Sequence, residues 1–173
     1  MNRQKKGNLI VESAIIGNLG HILIVLIISL IMSFLAQFKA LSFYDFTRMI
    51  LLVLTYILTL FFWFIIGIRS TKKEKSNSKH IGFITAITSI LPAGFFTILC
   101  HIFSMSSDNV SNLSRWNIFY LLGGPTLFWH RPFSFISELM TSNGYLIFYV
   151  NLSLVALSIF FGAIFFKKTG RRS

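Results

Sequence analysis

Four long stretches of this 173-residue chain contain no Asp, Glu, Lys or Arg. They run over about 14–36, 49–68, 81–103 and 144–166. Each is long enough to cross a bilayer as a helix, which takes about 20 residues. Lipid offers backbone groups no hydrogen-bond partners, so such segments satisfy them internally as α-helices. Each stretch is apolar round most of its circumference, which is the pattern of an embedded helix rather than an amphipathic surface one. Alternating segments of about 10 residues, the mark of a membrane barrel, are absent. The expected fold is therefore all-α: an integral membrane protein with a bundle of four transmembrane helices, forming a single membrane domain over 1–173. Short interfacial helices are expected in the loop between spans three and four.

Composition closes the other routes. Apolar residues make up 54% of the chain and charged residues 12%, about half the roughly 25% typical of soluble domains. A soluble fold of this size has too little interior for so much apolar surface. Disordered chains are poor in the aliphatic and aromatic residues that abound here.

The net charge of +11 comes from 16 basic and 5 acidic residues. Basic charge raises nucleic acid as a partner, but its placement argues otherwise. Arg3, Lys5 and Lys6 precede the first span. Arg69, Lys72, Lys73, Lys75 and Lys79 fill the basic loop 69–80 between spans two and three, and Lys167, Lys168, Arg171 and Arg172 follow span four. These three segments share one side and hold 12 basic residues, whereas Lys39, Arg48, Arg115 and Arg131 give the other side four. The positive-inside rule then places both termini and loop 69–80 in the cytoplasm, with the chain multi-pass in a plasma or inner cell membrane. Membrane lipids, including anionic headgroups, are the expected partners, at about 1 kcal/mol per basic residue near the surface. Other membrane proteins and self-association follow as further partners, and nucleic acid does not. Arg3, Lys5 and Lys6 also resemble the start of a signal peptide. The first stretch is longer than the usual 7–15 apolar residues, and bulky Phe34 occupies its candidate cleavage region, so an uncleaved helix is expected.

Helices in lipid associate through small residues and occasional hydrogen bonds. The third span carries Gly82, Ala86, Ser89, Ala93, Thr97 and Cys100 at spacings of three or four, which places them on one face. Asn18, His21, Val25, Ser29, Ser33 and Ala36 line the first span, and Asn151, Val155, Ser158 and Gly162 the fourth. These seams are expected to be the inside of the bundle. Pro92 is expected to kink span three and to free a carbonyl there, with Thr88 or Ser89 available to satisfy it.

No charged residue lies within the four stretches, which argues against a proton-coupled transporter, although His21 remains titratable. A single cysteine excludes an internal disulfide and a C-x-x-C redox pair. His21 and His101 cannot share a haem, because they sit roughly 10 Å and roughly 30 Å from the side where their spans begin. His80 belongs to the basic loop, and Glu12 reads as an interface residue. No cofactor or metal is implied.

The aromatic outer loop 104–143 is the unusual segment, since structureless loops of that length are uncommon. Ser114 is placed to cap a short helix over 115–122, ended by Gly123-Gly124-Pro125. Pro132 is placed to start another, with Phe133, Ile136 and Met140 on one face and Ser134, Ser137, Glu138 and Thr141 toward the other. A re-entrant hairpin at Gly123-Gly124-Pro125 would need protein cover at depth. His101, Asp108, His130 and Glu138 are the weak catalytic candidates. His130 with Glu138 would be the acid–base pair, and His101, His130 and a carboxylate a zinc set. Their spacing matches no zinc or hydrolase signature. The expected function is a non-enzymatic membrane component that contacts other membrane proteins or lipids. The alternatives are a small-solute transporter or permeation protein acting as an oligomer, and an outer-face enzyme on a lipid or envelope substrate.

Overall fold

A computed structural model describes residues 3–39, 43–71, 78–105, 123–139 and 144–169. Its long helices are α1 (Arg3–Ala36), α2 (Tyr44–Thr71), α3 (Ser78–Met105) and α6 (Gly144–Thr169). Two short helices, α4 (Gly124–His130) and α5 (Ser134–Leu139), lie between α3 and α6, joined by a 3-10 turn over Arg131–Phe133. No strand occurs among the described residues. The four long helices are long and apolar enough to cross a membrane over Leu9–Ala36, Tyr44–Thr71, Ser78–Phe103 and Tyr145–Phe165. The protein is a four-span, all-α membrane protein.

The first three helices begin earlier than the uncharged stretches, because helical hydrogen bonding continues past the apolar part. In α2 this brings Asp45 into the first turn and Arg69 into the last. Both charges complement the helix dipole there. Arg69 also donates to Glu12 of α1 at 3.1 Å across the exposed end of the bundle. An exposed pair of this kind is worth about 0–1 kcal/mol.

The core lies where α6 packs against α2 and α3. Trp63, Ile66, Ala86, Ala93, Leu152, Val155 and Ile159 fill it. Glycines set the spacing between α2 and α6. A Cβ on Gly67 would strike the backbone carbonyl of Ile159, and one on Gly162 would strike that of Phe64. The two backbones therefore approach through reciprocal glycine notches, which is how lipid-embedded helices gain dispersion contact. Gly82 of α3 faces Ala163 of α6 in the same manner. Along α3, Ala86, Ser89, Ala93 and Thr97 are buried, and along α6 so are Asn151 and Val155.

The seam expected on α1 ends early. His21 and Val25 are fully buried, but Ser33 and Ala36 are exposed, as are Leu26, Leu30 and Phe34. Beyond Val25 no described residue of α1 is fully buried.

Thr88 and Ser89 do not turn to the carbonyl that Pro92 leaves without an N–H, which by helical spacing is that of Thr88. Thr88 donates to Ile84 at 2.8 Å, and the Ser89 hydroxyl is buried with no partner among the described residues. Asn18 of α1 instead donates its amide to the Ser89 carbonyl, three residues before the proline, at 3.0 Å. The interhelical bond reaches the stretch of α3 backbone that the proline loosens.

Overpacking a tight contact costs about 1–3 kcal/mol, and more where backbone must move. Gly67→Ala and Gly162→Ala should each lower resistance to unfolding in mixed micelles by at least that amount. Gly94→Ala, whose new methyl would first meet Leu152 at 4.0 Å, should leave it unchanged. Equal behaviour of all three would refute the close approach.

Candidate functional site

The segment between α3 and α6 does not stay outside the bundle. Gly123-Gly124-Pro125 opens α4, with Pro125 in its first turn, where a missing N–H is harmless. The helix ends at His130, and Pro132 sets the 3-10 turn that follows. Thr126, Trp129, His130, Pro132 and Phe133 are all buried. The Trp129 carbonyl meets His21 at 2.8 Å, and His21 lies near the middle of the Leu9–Ala36 span. The segment thus re-enters the bundle to mid-span level. The cover that a re-entrant hairpin needs is supplied by α1, α2 and α3. Short helices occur in this loop as expected, and Trp129 and Phe133 meet protein there while Leu127 is exposed. Phe133 is fully buried and packs against Tyr56 edge-on at 6.1 Å and against His21 at 6.0 Å.

Two histidines hold this arrangement. Trp63 of α2 donates its indole N–H to Nδ1 of His21 at 3.3 Å. That leaves the His21 Nε2 to carry the proton and donate to the Trp129 carbonyl. Asn151 of α6 donates its amide to Nδ1 of His130 at 3.4 Å. The His130 Nε2–H then donates to Thr97 Oγ1 at 3.2 Å, and Thr97 passes its own proton to the Ala93 carbonyl at 2.8 Å. A neutral imidazole has one donor and one acceptor, and both rings use both. Aromatic faces enclose them: Trp129 lies 4.6 Å from His21 by ring centroid, and Phe148 stacks on His130 at 4.4 Å. Neither histidine has a free nitrogen to offer a substrate or a metal.

Of the sequence candidates, His130 and His101 have described side chains, and each bonds its own partners. His130 turns into the bundle, away from any acid–base role at an outer surface. Glu138 belongs to α5, and its side chain lies outside what the structure describes; Asp108 and the expected helix over 115–122 lie outside the described residues altogether. His101 sits near the end of α3, where it bonds the Tyr149 hydroxyl at 3.0 Å and stacks on Tyr145 at 4.4 Å. Neighbouring Cys100 meets the same Tyr145, which donates to the Cys100 carbonyl at 3.2 Å. Among the described residues no three His, Cys, Asp or Glu side chains gather as a metal site. Ser158, expected on the packing seam, is partly buried and donates to Leu154 of its own helix at 2.9 Å.

Trp63 was not marked by any sequence pattern considered above. The usable signal was its depth: tryptophans favour the membrane interface, and Trp63 stands eight residues inside the end of α2 with no exposure. The buried indole N–H of Trp129 and the Oδ1 of Asn151 have no hydrogen-bond partner among the described residues.

Compared with protein-family models, curated proteins and solved structures, the chain matches none.

Removing one member of a buried hydrogen-bonded pair costs about 1–3 kcal/mol. His130→Ala should destabilise the protein by that amount, since it strands the Asn151 amide. Combined with Thr97→Val, a double-mutant cycle in detergent should show coupling of about 0.6 kcal/mol, with an upper range near 1.7. Zero coupling would mean that the His130–Thr97 bond does not form.

Proposed function

We propose that this chain is a non-enzymatic component of a cell membrane that works by contacting other membrane proteins or lipids. The observation that carries the reading is the use made of His21 and His130. The two histidines nearest the centre of the bundle have all four ring nitrogens engaged by the protein's own groups. Their chemistry serves to hold a re-entrant segment in place. What the molecule presents outward is apolar: Leu30 and Phe46 are each 71% exposed, and exposed Leu, Ile and Phe side chains cover all four long helices. Such a surface is a contact surface for lipid or for other spans.

In this reading both termini and the loop 69–80 face the cytoplasm. The 12-to-4 split of basic residues between the two sides supports that orientation. Anionic headgroups then lie against the basic side.

Reporter fusions at Lys75 and Asn109 test the orientation. Lys75 should report cytoplasm and Asn109 the opposite side, and the reverse result defeats the charge argument. Crosslinking in native membranes, followed by affinity purification in gentle detergent, tests the contact role. A defined heteromeric or homomeric species is expected. Recovery of an uncrosslinked monomer alone would overturn it.

A further inference from the structure

A lateral groove of about 620 Å³ lies between α1 and α3 and has no role in the reading so far. Ala14, Asn18 and Ile22 form one wall, Leu91 and Phe96 the other, and Trp129 of α4 closes the back. Its rim is open: Ile15, Leu19 and Leu91 line it and are 54%, 62% and 61% exposed. Its polar groups are few: the Asn18 amide is committed to the Ala14 and Ser89 carbonyls, the Thr88 hydroxyl to the Ile84 carbonyl, and the Trp129 indole N–H is buried. The groove is therefore an apolar slot that faces the surroundings of two membrane spans, where the available occupant is hydrocarbon.

Its length and its charged end specify which hydrocarbon. Along α1 the groove runs from Val11 to Ile22. That is about 16 Å at 1.5 Å per residue, close to half of a hydrocarbon core about 30 Å thick. One acyl chain of one leaflet fits that run. The end nearest Val11 is the end at which both α1 and α3 begin. The sequence of the first turn of α1 carries Arg3, Lys5 and Lys6, and α3 starts with Lys79 and His80, both exposed. Counting back in helical turns, His80 falls on the same stripe of α3 as Leu91, three turns away.

We propose that the groove holds one acyl chain of an anionic phospholipid, with its phosphate at the basic starts of α1 and α3. The proposal rests on the lipid-contact part of the reading above, and it holds whichever side of the membrane that end occupies. Trp129 closes the back of the slot, so the re-entrant segment that His21 secures is also what gives the slot its depth.

The test uses the full chain reconstituted in phosphatidylcholine vesicles that contain a minor fraction of phosphatidylglycerol with a diazirine in its acyl chain. After photolysis, labelled residues are mapped by mass spectrometry. Ile15 and Leu19 should be labelled about fivefold more than Leu30, Phe61 and Phe161, the preference that ~1 kcal/mol from a basic residue at the headgroup corresponds to. Those three comparison residues are equally open, at 71%, 58% and 58%. Unlabelled phosphatidylglycerol should compete the groove signal away, and the same amount of phosphatidylcholine should not. Thr88→Phe, which fills the slot, and Leu91→Trp, at an exposed rim position that packing does not constrain, should each abolish the enrichment while labelling elsewhere persists. Labelling spread evenly over the exterior, or equal competition by the two lipids, overturns the proposal. Either result leaves the protein-contact reading to be decided by the crosslinking experiment, so the two fail separately.

Discussion

The hydrogen bond from His21 to the Trp129 carbonyl is the interaction on which the arrangement turns. A backbone segment carried into an apolar bundle brings polar groups that water cannot reach. Leaving such a group unpaired costs far more than the modest net worth of a typical hydrogen bond. The chain meets this with a side chain from its first span and keeps that side chain in the right tautomer with the Trp63 indole. His130 is secured from the opposite side by Asn151 and Thr97. Four elements thus converge on one short segment, and displacement of that segment would expose several buried polar groups together.

The bundle is built unevenly as a result. Where α2, α3 and α6 meet, glycine notches bring backbones together and the core is dense. On the side of α1, contacts are lighter and full burial ends at Val25, and a polar clasp takes the place of a continuous seam. The groove lies on this looser side. Tight packing and a lipid-accessible slot coexist because separate helix pairs supply them.

The spans were legible in the sequence for a simple reason: lipid tolerates no charge, so uncharged runs of the required length stand out. The small-residue stripe of α3 was legible too, because helical spacing alone puts Ala86, Ser89, Ala93 and Thr97 on one face. Gly67 was less so. It sits in a Phe-rich run with no stripe, and its role depends on what α6 places opposite. The re-entry of 124–133 could be drawn only as a possibility, because its polar groups depend on partners at great sequence distance. Trp129 finds His21 across 108 positions and His130 finds Thr97 across 33. Aromatic density in that loop suggested the interface, whereas two of its rings, Trp129 and Phe133, pack against the histidines. The histidines themselves invited a catalytic reading, since residue type shows which chemistry is available and says nothing of whether the nitrogens are already occupied.

The sequence distances in the clasp carry a consequence for how the molecule comes into being. Spans insert in order as the chain is made, and lateral association follows. Trp129 can meet His21 as soon as residues 123–133 are synthesised, but His130 must wait for Asn151, which lies within the last span. Until that span enters, the re-entrant segment has only part of its set of partners. Completion of the interior therefore falls to the final helix, and a chain halted before it would leave a half-secured polar segment among three helices, the kind of intermediate that membrane quality control is built to notice.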